Sequence, residues 1–146
     1  IWNRHFYVNK YITELVNENI TEYDMKSAEL SMIKQYGVLD SDTIILLESL
    51  PKLERNIKIG KIKKNNKTLV KEMNDGYKHY RRLFMESNQL TEDDIISVKK
   101  DAIFTTKQCK YVDFDLIKFD EKNKYTSYYY FPTISRIELY YNKNTM

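Results

Sequence analysis

Two aspartates, Asp24 and Asp101, are set apart from the other acidic side chains by the local chain around them. Asp24 closes "NITEYDM", a short alternating stretch in which Ile20 and Tyr23 flank Thr21 and Glu22, and a helical pattern begins just after it at Ser27. Asp101 lies in "DDIISVKKDAIFTT", where Ile95, Ile96 and Val98 lead in and Ile103, Phe104, Thr105 and Thr106 lead out. All of these suit a pleated, half-buried surface, so Lys99, Lys100 and Asp101 read as a hairpin tip. If that hairpin pairs beside the Asp24 strand in one antiparallel sheet, the two carboxylates converge. Converging carboxylates are hard oxygen ligands suited to Mg²⁺ or Mn²⁺, and such a site can serve phosphoryl transfer. The competing reading is a solvated turn that merely carries charge, in a chain whose 21 acidic residues allow many pairs to be drawn.

The elements that must hold this pair follow from periodicity. Phe6, Tyr7, Tyr11, Leu15 and Val16 fall mostly at helical spacing and predict a helix ending near Asn17 to Asn19. The strand to Asp24 comes next, then a helix from Ser27 to about Tyr36, stopped by Gly37. "DSDTIILLESL" predicts a second helix ended by Pro51, and the basic stretch after it continues as helix or irregular structure. From Thr68 to about Ser87 one apolar stripe runs through Leu69, Val70, Met73, Tyr77, Tyr80 and Phe84. Lys67, Lys71, Lys78 and Arg82 gather on another face of that helix, and Gly76 in its middle marks a bend or a close approach. After the hairpin, "KQCKYVDFDLIKFDE" and "KYTSYYYFPTISRIELYY" predict two more strands and a final amphipathic element from about Thr133. The fold class is therefore α+β, an antiparallel sheet with a helical, basic insertion over residues 38–92 in a single domain spanning 1–146.

Composition narrows the functions. The net charge is only +3, but residues 51 to 67 carry seven Lys or Arg against Glu54 alone. A local basic stripe in a near-neutral chain is what a phosphate-binding surface needs, although a solvated lysine-rich face has the same composition. The single cysteine, Cys109, cannot form an internal disulfide or build a cysteine-based metal site, which points to a reducing compartment. No apolar run approaches the ~20 residues needed to cross a bilayer, so the chain reads as cytoplasmic with no membrane partner. The first residue is Ile rather than Met, which suggests a piece of a longer product.

"EYDMKSAEL" and "SVKKDAIF" together resemble the catalytic motifs of template-dependent DNA polymerase palms. The first is similar to motif A, D-x-x-S-L-Y in family B enzymes and D-Y-S-x-x-E-L in family A. Asp24 matches the aspartate of both, Ser27 the family B serine, and Glu29 and Leu30 the family A glutamate and leucine. The second is similar to family B motif C, V-D-T-D-S-I-F, with Val98, Asp101, Ile103 and Phe104 in register. Lys99 and Lys100 depart from it, replacing an Asp and a Thr, as does Ala102 in place of Ser. The resemblance covers about residues 18 to 106 and implies a palm-like sheet with a fingers-like insertion, in which Asp24 and Asp101 are catalytic and bind Mg²⁺ or Mn²⁺. It further implies that Arg55, Lys58, Lys71, Lys78 and Arg82 bind a nucleoside triphosphate and that Glu29 selects the sugar. Lys61, Lys63, Lys64, Lys99 and Lys100 would then contact a DNA or RNA primer-template, with the remainder of a larger polymerase chain as a further partner. The abundance of Lys, Asn, Ile and Tyr fits a gene of low G+C content, as in many phages.

Two rival functions fit the same residues. One is a non-catalytic or degenerate nucleic-acid-binding module, favoured by K-K-D where the palm motif has D-T-D; the other is an interaction protein whose charges solubilise it. His5 and His79 have no nucleophile or ligand spacing around them and receive no role. Tyr128, Tyr129, Tyr130 and Phe131 can stack bases or form a strand packed on both faces. Asp113 and Asp115 alternate with apolar residues and are expected in solvent, or, for one of them, near the metal site.

Overall fold

In a computed structural model, which describes residues 1–142, Phe6–Val8 forms a short strand, β1, and Glu14–Met25 a long one, β2. The helix expected over this stretch is not formed. Pairing decides it: Tyr7 lies opposite Val98, and the link between the strands is fastened by the buried Asn9. Its amide donates to the carbonyls of Glu92 and Ile95 at 3.0 Å each, while its side-chain oxygen accepts from the Tyr11 N–H. These long-range bonds outweigh a weak local helical preference.

The helices α1 (Ala28–Tyr36), α2 (Ser41–Ser49), α3 (Lys52–Lys64) and α4 (Lys67–Ser87) follow as the apolar spacing predicts. Gly37 ends α1 with φ 61°, donating its N–H to the Ile33 carbonyl. Asp40 caps α2 through Thr43 N–H, and Asn66 caps α4 through Leu69 N–H. The basic stretch is helical throughout α3.

The hairpin forms where expected, with β3 (Ile95–Lys99) and β4 (Ala102–Thr105) joined by Lys100 and Asp101. Two residues of β5 (Asp113–Phe114), the long β6 (Ile117–Phe131) and β7 (Ile137–Tyr141) complete the sheet. Its order is β1-β3-β4-β2-β6-β5, with β7 also on β6, and every pairing is antiparallel. The molecule is an α+β protein.

Period-two alternation assigns the two faces of this sheet. Tyr23, Met25, Val98, Ile103 and Phe119 pack against the helices, with Leu30, Ile33, Leu47, Ile59, Tyr77, Tyr80 and Phe84 as their partners. On the other face Ile20, Ile96, Phe104 and Tyr128 form a smaller core under the β6–β7 hairpin, where the Tyr140 ring stacks on Phe104 at 4.5 Å. Tyr128 is fully buried there, so the aromatic run packs as a strand at that residue while Phe131 is exposed.

Gly76 sits where α4 crosses α1. A Cβ there would lie 2.6 Å from the Tyr36 ring and 2.8 Å from the Met32 sulfur, whereas one at Gly60 on α3 would meet nothing within 4 Å. Gly60→Ala is therefore expected to raise stability by about 0.5–1 kcal/mol through helix propensity. Gly76→Ala is expected to lose about 1 kcal/mol net, because overpacking exceeds the same gain. Thermal melts of the two variants, which should move in opposite directions, check the close approach.

Candidate functional site

Register brings the two acids together. β4 runs antiparallel to β2 with Asp24 opposite Ala102, and the Met25 N–H donates to the Asp101 carbonyl at 2.9 Å. Asp24, next to last in β2, thus lies beside Asp101 in the turn that leads into β4. The hairpin tip itself is gripped from below by Arg81, fully buried in α4, whose Nη1 donates to the Lys100 carbonyl at 2.6 Å and Nε to the Trp2 carbonyl at 3.0 Å. Burial lowers the Arg81 pKa to about 10, and the guanidinium remains charged at neutral pH. Arg81 is thus a support for the turn from inside the fold. Among the described residues seven non-glycine residues adopt positive φ, and two of them border the acids: Ser27 at 45° and Lys100 at 54°. Left-handed backbone of this kind costs on the order of 1 kcal/mol and persists only where its surroundings hold it.

The acids are energetically poised. Burial, and then the charge of Asp24, raise the Asp101 pKa to about 6, helped by the hydrogen bond that a protonated Asp101 can make to Asp24. Asp24 Oδ1 is buried and has no hydrogen-bond partner when both groups are ionised. Its other oxygen is held by Lys122 Nζ at 3.2 Å, and that bond and the Asp24 charge raise the Lys122 pKa. Lys122 owes its position to an irregularity of register. Tyr23 faces Glu121 and Glu22 faces Asn123, so Lys122 is the unpaired residue of a β-bulge that turns it toward Asp24. A bulge in a polar strand leaves no periodic signal, which is why sequence reasoning passed Lys122 over.

A cavity of about 270 Å³ opens beside the pair, lined by Asp24, Asp101, Glu29, Lys52, Arg55, Asn56, Tyr77, Lys100 and Lys122. Helix α3 faces it with Lys52 and Arg55, so part of the basic stretch lies across from the acids. Among the expected site residues, Asp24, Asp101, Arg55, Glu29 and Lys100 line it. Glu29 is bound by Lys63 at 3.1 Å, which places Lys63 at its margin. Lys58, Lys71, Lys78 and Arg82 are not in the lining. Lys71 and Arg82 are instead held by Asp75 and Glu86, one helical turn along α4, at 2.8 Å each. Lys61 and Lys64 are exposed on α3, and Lys99 is bound by Glu138 at 2.7 Å on the far side of the hairpin. Asp113 pairs with Lys118, and Asp115 accepts from Tyr80, both outside the cavity.

Whether this donor set suits a divalent cation can be judged from its chemistry. Two adjoining carboxylates, one with a buried oxygen that no donor reaches, offer hard, anionic ligands whose mutual repulsion a cation would relieve. Among the described residues no group of three or more His, Cys, Asp or Glu gathers around an ion site. Two carboxylates suffice for Mg²⁺, which keeps several waters and takes phosphate oxygens as its remaining ligands.

The fold and site define an α+β protein with an acid pair at the end of a sheet, facing cations from a helical segment. The chain belongs to the bacteriophage PBS1 gene 130 protein family, whose model matches residues 1–146 in full. No curated protein matches it. The phage source that the composition suggested agrees with this family. Among the described residues no helix is long and apolar enough to cross a membrane.

Proposed function

We propose that this chain is a palm-like nucleotidyltransferase core, similar to that of a DNA polymerase, that joins a nucleotide to a 3′-hydroxyl. The convergence of Asp24 and Asp101 from two separate strand ends, opposite Lys52 and Arg55, carries the reading. Mg²⁺ or Mn²⁺ held by the acid pair would supply Lewis-acid stabilisation of the transferring phosphoryl group. The side chains do the rest. Arg55 and Lys52 offer guanidinium and ammonium donors to triphosphate oxygens, and Lys100 and Lys122 flank the acids with further positive charge. Ionised Asp24 and Asp101 can accept the proton of an incoming hydroxyl, and Tyr77, whose pKa burial raises, stays a neutral hydrogen-bond donor. Glu29 lines the cavity beside α3, and on this reading it would contact the sugar and favour deoxynucleotides.

The test is incorporation of a labelled nucleotide on a primed template with Mg²⁺ or Mn²⁺, in the full-length protein if this chain is a segment of one. Failure by a folded wild type would favour the second reading, a nucleic-acid-binding module with a degenerate site. Lys122 supports that reading, since an ammonium already neutralises one oxygen of Asp24. On either reading nucleic acid should bind with an affinity that falls steeply with salt, and charge reversal at Lys58 and Lys61 should weaken all sequences alike. Binding unchanged between low and moderate salt, read by fluorescence anisotropy, would count against both.

A further inference from the structure

On the far side of the β3–β4 hairpin a second, larger groove of about 530 Å³ runs between β1, β3 and the β6–β7 hairpin. No acid pair lines it; Glu92 is its single acidic side chain. It presents the two most exposed aromatic rings among the described residues, Phe6 at 74% and Tyr11 at 76%. Exposed rings of this size are costly in water unless something covers them. Around them stand Arg4, Lys10 and Arg136, none of which has a carboxylate partner among the described residues. The Lys10 ammonium already lies 5.2 Å from the centre of the Tyr11 ring.

We infer that this groove binds single-stranded nucleic acid, with Phe6 and Tyr11 stacking on unpaired bases while Arg4, Lys10 and Arg136 hold the backbone phosphates. Exposed rings beside cations that have no carboxylate partner among the described residues suit a strand of planar bases and anionic phosphates. A duplex cannot use the rings, because its base faces are already stacked. A second copy of the chain is disfavoured, since a symmetric contact would set these cations against themselves and β1 offers only three residues of edge. An acidic peptide would satisfy the cations and leave the rings uncovered. The groove abuts the acid site, because Lys99 in its wall is separated from Asp101 only by Lys100. The inference nevertheless stands apart from nucleotidyl transfer, since a strand would bind here whether or not the acids catalyse anything.

The experiment is anisotropy of a labelled oligothymidylate, a duplex of equal length and a labelled poly-glutamate peptide, in EDTA and without nucleotide, so that no transferase chemistry enters. The single strand should bind more tightly than the other two. Phe6→Ala and Tyr11→Ala should each weaken it by about tenfold, Tyr11→Phe should not, and melts should confirm that these exposed substitutions leave the fold intact. Arg136→Glu should also flatten the salt dependence, as loss of a phosphate contact does. Single-strand affinity unchanged by the ring substitutions would overturn the proposal, as would an equal loss of duplex binding in the same variants. Tighter binding of poly-glutamate would overturn it in favour of an acidic protein partner.

Discussion

Asp24→Asn and Asp101→Asn are each expected to reduce nucleotide incorporation by about 10²–10³-fold or more, while nucleic-acid binding stays close to wild type. The amide keeps the shape of the carboxylate and removes its charge, so the change isolates electrostatics. Asp24 comes from β2 and Asp101 from the β3–β4 turn, and neither can stand in for the other: among the described residues no third carboxylate gathers with them. Glu29, the other acid of the cavity, is occupied by Lys63 at 3.1 Å. Removing either charge therefore removes half of the anionic donor set. Asp113→Asn is the control, since Asp113 is exposed, pairs with Lys118 and lies outside the cavity. Incorporation by either site variant at wild-type rate would rule out this active site. Equal losses in the control would point to a general effect of lost negative charge.

The parts of this architecture that local chemistry decides could be read from the sequence, and the parts that pairing decides could not. The stripe of α4, the Asp40 cap, the Gly37 stop and the turn at Lys100 and Asp101 each depend on residues within a few positions of one another. The N-terminal stretch failed because Phe6, Tyr7 and Val16 satisfy helical and extended spacing alike, and the buried Asn9, bonding to Glu92 and Ile95 across the fold, settles the matter. The acid pair was visible because both members sit at ends of elements, where a strand gives way to a turn. Their partners were harder to find. Lys71 and Arg82 are typical fingers-like cations by composition, yet each has an acid one helical turn away that takes its charge. Lys52 and Arg55, only one turn apart on α3, reach the cavity instead. Which cations face the acids depends on how the helix docks, and Lys122 depends on a bulge, neither of which local periodicity encodes.

In the absence of divalent cations, the wild-type protein is expected to lose stability as pH rises from about 4 to 6, and Asp101→Asn to remove that loss. The sign follows from proton counting. The Asp101 pKa is raised to about 6 in the folded chain, against about 3.9 in an unfolded one, so between these values the folded state holds more protons. Stability then falls with increasing pH through that window and remains at its lower level above it. Asn, like a protonated acid, carries no charge, so the variant should melt above wild type at pH 8 and converge with it below pH 4. Each kcal/mol recovered corresponds to about 2–4 °C in a chain of this length. Mg²⁺ should stabilise the wild type at pH 8 by mass action and have a much smaller effect on the variant. A functional acid pair and a merely structural one part here. A structural carboxylate is stabilising when ionised, so its loss lowers the melting temperature at neutral pH. Asp101 crowds Asp24, whose Oδ1 is already without a donor, and at neutral pH its charge is a burden to the fold that a bound cation would relieve. A lower melting temperature for Asp101→Asn at pH 8, or Mg²⁺ stabilisation equal in the two proteins, would mean that the pair is held for the fold and not for a cation.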